Sequence, residues 1–288
     1  MDYKLSNNHG FTIIELLIAL TISGIVSAAL ITTFLSQQKS YVVQGHVAAM
    51  QQNLRGGMEM MTREIRLVGY DPDNVGGMGI LDISPRDIND NIDITMNGNG
   101  AIQVAADFDD SGGSNASDFI SFSIADSPIG TPDGKLDLTR NAGAGRQLLA
   151  ENIEAMGFAF AYDADGDGNL DVSAGGNVIW AVDSDGDNAL DLNLDTNDDG
   201  DIDSADGPAG GNGLITGTAI PNINVGNIRA VRIWLLARTD QRDPDYINGH
   251  TYVVGHKVIS PNTDGDSTND SYRMRLLTTT VKCRNLGL

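Results

Sequence analysis

The first break in the mixture of polar and apolar residues is a long apolar run. From Phe11 to Leu35 the chain carries 25 residues with a single charge, Glu15. As a helix this run spans about 37 Å, more than the ~30 Å hydrocarbon layer of a bilayer, so 11–35 reads as a transmembrane helix. The pattern then changes without stopping. Val47, Met50, Leu54, Met58, Met61, Ile65 and Val68 recur at spacings of three and four, whereas Lys39, Arg55, Glu59, Arg63 and Arg66 fall off that stripe. Residues 36–70 are therefore expected to extend the helix as an amphipathic half packed on a globular body. Gly45 and the pair Gly56-Gly57 are expected to bend or loosen it, and Asp71-Pro72-Asp73-Asn74 to end it.

Beyond the helix the period shortens to two. Phe119–Ile124 alternates, and Phe158, Phe160 and Tyr162 point one way while Gly157, Ala159 and Ala161 point the other. That small face suits a sheet lying close to a helix. Val178–Val182, Ile228–Ala237, Tyr252–Ile259 and Tyr272–Cys283 read as further strands, with surface linkers at Ser111–Ser117 and Gly207–Gly217. A helix followed by antiparallel strands is an α+β arrangement, with residues 71–288 as the β-rich globular domain.

Composition adds charge to this outline. The net charge is −21, from 39 acidic and 18 basic side chains, and 34 of the acids are Asp. Such a surface repels phosphate backbones, which speaks against nucleic acid as a partner and in favour of divalent cations. The one cysteine, Cys283, excludes an internal disulfide and reads as a small apolar strand residue. No phosphate-binding glycine loop, GxSxG elbow or CxxC pair appears, and His9, His46, His250 and His256 lack zinc spacing. No enzyme is expected.

The apolar run does not fit a secretory signal, which has a basic leader, a shorter core and cleavage after that core. A plain anchor does not explain Glu15, since burying a carboxylate in lipid costs on the order of 3 kcal/mol. The sequence Gly10-Phe11-Thr12-Ile13-Ile14-Glu15 before a long apolar helix resembles the processing motif of type IV prepilins and type II secretion pseudopilins. The resemblance implies a leader at 1–10, cleavage between Gly10 and Phe11 by a prepilin peptidase, and methylation of the new Phe11 amine. It also implies that Glu15 pairs with the terminal amine of a neighbouring subunit, so that two costly charges offset each other. The nearly neutral leader, with Asp2 against Lys4, departs from the usual pattern. QQNLRGGMEMMTREIRLVGYDPD at 51–73 and YRMRLLTTTVKCRNLGL at 272–288 are similar to the PilW family of minor pilins. A type IV pilin-like fold follows from the resemblance, with 11–35 as transmembrane and filament-core helix.

Residues 163–206 hold fourteen Asp and no Lys or Arg. Asp163, Asp165, Asp167, Gly168, Asn169, Leu170 and Asp171 occupy positions 1, 3, 5, 6, 7, 8 and 9 of an EF-hand-type calcium loop. Asp183, Asp185, Asp187, Asn188, Ala189, Leu190 and Asp191 repeat it, with Asn188 in the glycine position. Asp195, Asn197, Asp199, Gly200, Asp201, Ile202 and Asp203 do so again and add Asp206 at position 12, where the first two have Ala174 and Leu194. Carboxylates this dense repel one another unless a divalent cation sits among them. One to three structural Ca2+ ions are expected, carried on strands and turns because no helices flank the loops.

The expected function is that of a minor pilin that primes, joins or caps a type IV pilus. Other pilins, the prepilin peptidase/methyltransferase, the bacterial inner membrane before assembly and a tip adhesin are the expected partners. A J-type pseudopilin and a calcium-dependent adhesive module at a pilus tip are the alternatives.

Overall fold

The computed structural model describes residues 10–85, 100–108, 110–112, 115–126, 134–208, 213–261 and 271–287. Most of the leader, 1–9, and parts of both expected linkers, 113–114 and 209–212, lie outside them. One helix, α1, runs Ile13–Leu67, and the chain divides into two compact units at His46/Val47. Residues 13–46 are helical and none of them is buried. They contain an 18-residue stretch of mean hydropathy 2.3, long and apolar enough to cross a membrane.

From Val47 onward the helix belongs to the globular unit. Met50, Leu54, Met58, Met61, Ile65 and Val68 are all buried, so the stripe read from the sequence is the packed face. Each such side chain contributes about 1.5–3 kcal/mol on leaving water. Glu64, also buried, accepts two bonds from Arg140 Nε at 2.9 and 3.0 Å, which ties the helix to the sheet beneath it. The glycine pair does not interrupt α1. Gly57 sits where a Cβ would fall 2.9 Å from Leu138 and 3.2 Å from Ala150, so it serves close packing, not bending. The helix ends at Leu67, a few residues ahead of Asp71.

The strands are β1 Gly79–Asp82, β2 Ile102–Ala105, β3 Phe119–Asp126, β4 Leu136–Asn141, β5 Arg146–Ala150, β6 Ile153–Tyr162, β7 Ala181–Val182 and β8 Ala189–Asn193. They continue with β9 Gly213–Leu214, β10 Thr218–Asn224, β11 Ile228–Arg238, β12 Tyr252–Val254, β13 Lys257–Ile259 and β14 Met274–Lys282. All pairs are antiparallel. They make a meander β1-β2-β3-β4-β5, a central sheet β10-β8-β7-β6-β11-β14, and a small sheet β12-β13-β9. Two expected strands come out differently: only Ala181–Val182 of Val178–Val182 is strand, and Tyr252–Ile259 folds back at Gly255-His256 into a hairpin.

The central sheet has a hydrophobic core on each face. One core joins Phe158, Phe160, Val231, Ile233 and Leu235 to the helix stripe and to Ile120 and Phe122 of the meander. The other joins Ala155, Ala159, Ala161, Trp180, Trp234 and Leu236 to the β12–β13 hairpin. The small face of β6 therefore lies against that hairpin and not against the helix. At Gly157 a Cβ would come within 2.5 Å of Gly255 N. Two backbones meet there, and that approach is what the small residues permit.

The chain ends against the end of α1. Asn285 Nδ2 donates to the carbonyls of Leu67 and Val68 at 3.1 and 3.4 Å, filling acceptors that a helix terminus leaves open. Gly69, at φ +81°, sits where a Cβ would fall 2.5 Å from Leu286. Cys283 is fully buried, and burial pushes its thiol up to about 12.

Candidate functional site

Two features carry chemistry. At the helix start, Gly10 and Phe11 lie exposed ahead of the first turn. The Thr12 N–H and hydroxyl donate to Glu15 Oε2 at 2.8 and 2.9 Å, and the Glu15 N–H donates back to Thr12 Oγ1 at 3.3 Å. This is a capping box, so Glu15 closes its own helix start within the single chain. Thr12 was legible as the T-x-x-E partner of Glu15 and was overlooked.

The three aspartate loops follow β6, β7 and β8, and all are built on one scheme. The carboxylate at position 1 accepts backbone N–H bonds from across the loop. Asp163 takes Gly166 at 2.7 Å and Gly168 at 3.1 Å; Asp183 takes Gly186 at 2.7 Å and Asn188 at 2.9 Å; Asp195 takes Gly200 at 2.9 Å. The side chain at position 3 accepts from the N–H at 5: Asp165 from Asp167, Asp185 from Asp187, Asn197 from Asp199. The carboxylate at 5 accepts from the N–H at 7, namely Asn169, Ala189 and Asp201. These bonds require left-handed backbone at positions 4 and 6, found at Gly166, Gly168, Gly186, Asn188, Asp198 and Gly200. The need for it at position 4 was missed in the sequence.

Ring closure differs between the loops. The position 9 acids Asp171 and Asp191 accept the position 2 N–H of Ala164 and Ser184, at 2.9 and 2.8 Å. In the third loop Asp206 does this for Thr196 at 2.7 Å and also accepts the Asp203 N–H at 3.0 Å; Asp203 turns to the Ala205 N–H. The apolar residues at position 8 pin the loops to the cores. Leu190 is fully buried, while Leu170 and Ile202 pack partly buried against the second core. Leu194, at position 12 of the second loop, is a core residue, which accounts for the missing acid.

The structure brings together Asp163, Asp165 and Asp167, and separately Asp183, Asp185 and Asp187; in each trio the nearest ligand oxygens lie within 4.8 Å of one another. Two oxygens on opposite sides of a calcium ion at ~2.4 Å are about 4.8 Å apart, so these trios suit a cation of that size. Among the described residues no such trio of acids forms in the third loop, whose position 3 is Asn197. Asp198, which the calcium pattern does not use, reaches out of the third loop to the Gly175 N–H at 2.8 Å, Asn177 Nδ2 at 3.1 Å and the Ser173 hydroxyl. Those bonds, the hydroxyl foremost, hold its carboxyl below the ordinary aspartate range.

The two trios differ electrostatically. Burial opposes ionisation of Asp163, yet the N–H groups of Gly166, Gly168 and Asp167, with Arg229 nearby, outweigh it and hold the carboxyl below the usual value. At Asp183 burial wins against the N–H groups of Gly186, Asn188 and Asp185, and Asp187 adds repulsion, so that carboxyl is pushed up. Asn188 also leaves its loop. Its Nδ2 donates to the Leu81 carbonyl at 2.8 Å and its Oδ1 accepts the Ile83 N–H at 3.0 Å, which explains why it replaces the expected glycine.

Comparison with known proteins falls on both features. Residues 5–31 match the prokaryotic N-terminal methylation motif, and residues 180–285 match the family described as Type IV Pilus-assembly protein W. Among solved structures, a type IV-like pilin from Thermus thermophilus is 16% identical, with 83% of this chain and 98% of that one covered and a TM-score of 0.37. No curated protein matches the chain.

Proposed function

We propose that this type IV pilin-like protein, which resembles the PilW family of minor pilins, primes, joins or caps a type IV pilus. It is made as a precursor anchored by one span in the inner membrane, cut between Gly10 and Phe11, methylated on Phe11 and then drawn into the filament. The observation that carries this reading is the segment up to His46. From Ile13 to His46 it is helix with no buried residue, it contains a stretch apolar enough to span a membrane, and it overlaps the matched methylation motif. Such a surface has no place in water and calls for lipid first and neighbouring helices afterwards. In the filament Glu15 exchanges its bond to Thr12 for the amine of a neighbour. The aspartate trios hold structural calcium that braces a domain with no disulfide.

Intact-mass analysis of membrane-extracted protein tests the processing. A mature chain starting at methylated Phe11 is expected; a start after the apolar run defeats the proposal. Full-length Glu15→Ala is expected to keep a folded globular unit and to be depleted several-fold from sheared pili. Normal entry of that variant removes the charge pairing. Recovery of the wild type with a secretin-linked pseudopilin set instead of with pili assigns it to a secretion system.

A further inference from the structure

We infer that the β2–β3 connection holds a further divalent-cation site, built on Asp107, Ser111 and Asp118 and separate from the three aspartate loops. The sequence reads Ser111–Ser117 as a surface linker, yet the acids on either side of it are buried: Asp107 is 6% exposed and Asp118 fully enclosed. Counted from Asp107, the segment also keeps calcium-loop spacing. Asp107, Asp109, Ser111, Gly112, Asn115 and Asp118 stand at positions 1, 3, 5, 6, 9 and 12. The backbone is left-handed at positions 4 and 6, with Asp110 at φ +53° and Gly112 at φ +70°, as in the other loops. Asp109 lies outside the described residues, and the site rests on none of its atoms.

The observation that calls for a ligand is the carboxylate of Asp118. Its Oδ2 accepts the Asn115 N–H at 2.7 Å, which turns the group toward the loop, while its Oδ1 is buried with no hydrogen-bond partner at all. Among the described residues no Lys, Arg or His pairs with Asp107 or Asp118. Buried carboxylates are ordinarily paired or bound to a metal, and a proton placed on Oδ1 would find no acceptor there. A cation satisfies that oxygen and the charge together. Asp107 reaches the same loop from its other end: its Oδ1 accepts the Ser111 N–H at 3.1 Å, and Ser111 Oγ accepts Asn115 Nδ2 at 2.8 Å. The turn after α1 adds a third carboxylate, since a Cβ on Gly112 would fall 2.7 Å from Asp73 Oδ2. Carboxylate and hydroxyl oxygens, without nitrogen or sulfur, suit a hard ion such as calcium and not zinc. The Asp107 N–H donates to the Tyr70 carbonyl at 2.9 Å, so an ion here also fastens the exit of α1 to the meander.

Native mass spectrometry of the full chain in detergent micelles, titrated with calcium chloride, counts the ions. Asp107→Asn and Asp118→Asn are each expected to bind one ion fewer than the wild type. Asp163→Asn/Asp183→Asn/Asp195→Asn, which disables the three aspartate loops, is expected to keep one. Wild-type counts in both single variants, or no ion in the triple variant, would overturn the inference. Should the single variants fail to fold, amide hydrogen exchange of the wild type decides. Peptides covering 106–118 are expected to exchange several-fold more slowly once calcium is added, and equal rates would overturn the site. One ion in the wild type, kept by the triple variant, supports this site and defeats the calcium reading of the aspartate loops.

Discussion

The first and second aspartate loops share their residue types at positions 1, 3, 5 and 9 and the same hydrogen-bond scheme, yet their leading carboxylates are shifted in opposite directions. Asp163 is held below the ordinary aspartate value and Asp183 above it. The difference is one of surroundings. Both carboxylates are buried, but Arg229 lies near the first, whereas the second has Asp187 beside it and is pinned to β1 through Asn188. A motif fixes which atoms converge; the protein around it fixes what their charge costs. Without a cation the first loop tolerates its charge and the second resists it.

Removing calcium has the largest expected effect. An ion at ten times its dissociation constant contributes ~1.4 kcal/mol per site, so two sites give about 3 kcal/mol. In a domain of this size that is a fall of roughly 5–10 °C in melting temperature on adding chelator. Equal melting with and without chelator removes the calcium reading of both loops. Exchanging the residues at position 6 comes next. Asn188→Gly keeps the left-handed backbone but strands the Leu81 carbonyl and the Ile83 N–H, at a cost of about 1–3 kcal/mol. Gly168→Asn is expected to cost only a few tenths of a kcal/mol, because Asn accepts that conformation. Denaturant midpoints measure both, and equal losses would deny the second loop its special anchorage.

The smallest effect is the most telling, because its sign reverses between the loops. Asp183, with its raised folded value, contributes stability below the ordinary aspartate pKa and loses it as pH rises through the folded value. Asp163, with its lowered value, contributes above the ordinary pKa and loses it as pH falls through the folded value. At pH 7 in chelator, Asp183→Asn is therefore expected to raise the melting temperature. Asp163→Asn is expected to lower it. Shifts of the same sign would show that the two loops do not differ in this way.

How much of this was legible depended on how far away the cause lay. The stripe from Met50 to Val68 was readable because helical period is a local property, and every member from Met50 on is buried. The alternation of β6 was readable for the same reason. What its small face meets was not, because the backbone that approaches Gly157 belongs to Gly255, on a distant hairpin. In the loops, positions 1, 3 and 5 were plain from spacing. The reason for Asn188 lies in β1, and the diversion of Asp206 became visible only with the third loop folded. Gly57 misled for a related reason: glycine in a helix signals either freedom or crowding, and only its neighbours Leu138 and Ala150 decide between them.

The clamp of Asn285 on the last carbonyls of α1 gives the globular unit a route for mechanical tension. Pull arriving along the helix meets the end of the chain at its own terminus. From there it passes along the chain into β14 and, through the Cys283 N–H bonded to the Arg229 carbonyl at 2.9 Å, across to β11, with which β14 is in register over nine consecutive pairs. The end of α1 and the last strand are thus fastened to each other, and load between them falls on an uninterrupted ladder in the central sheet. The aspartate loops follow β6, β7 and β8 and lie outside that pair of strands, so load carried by it need not open them.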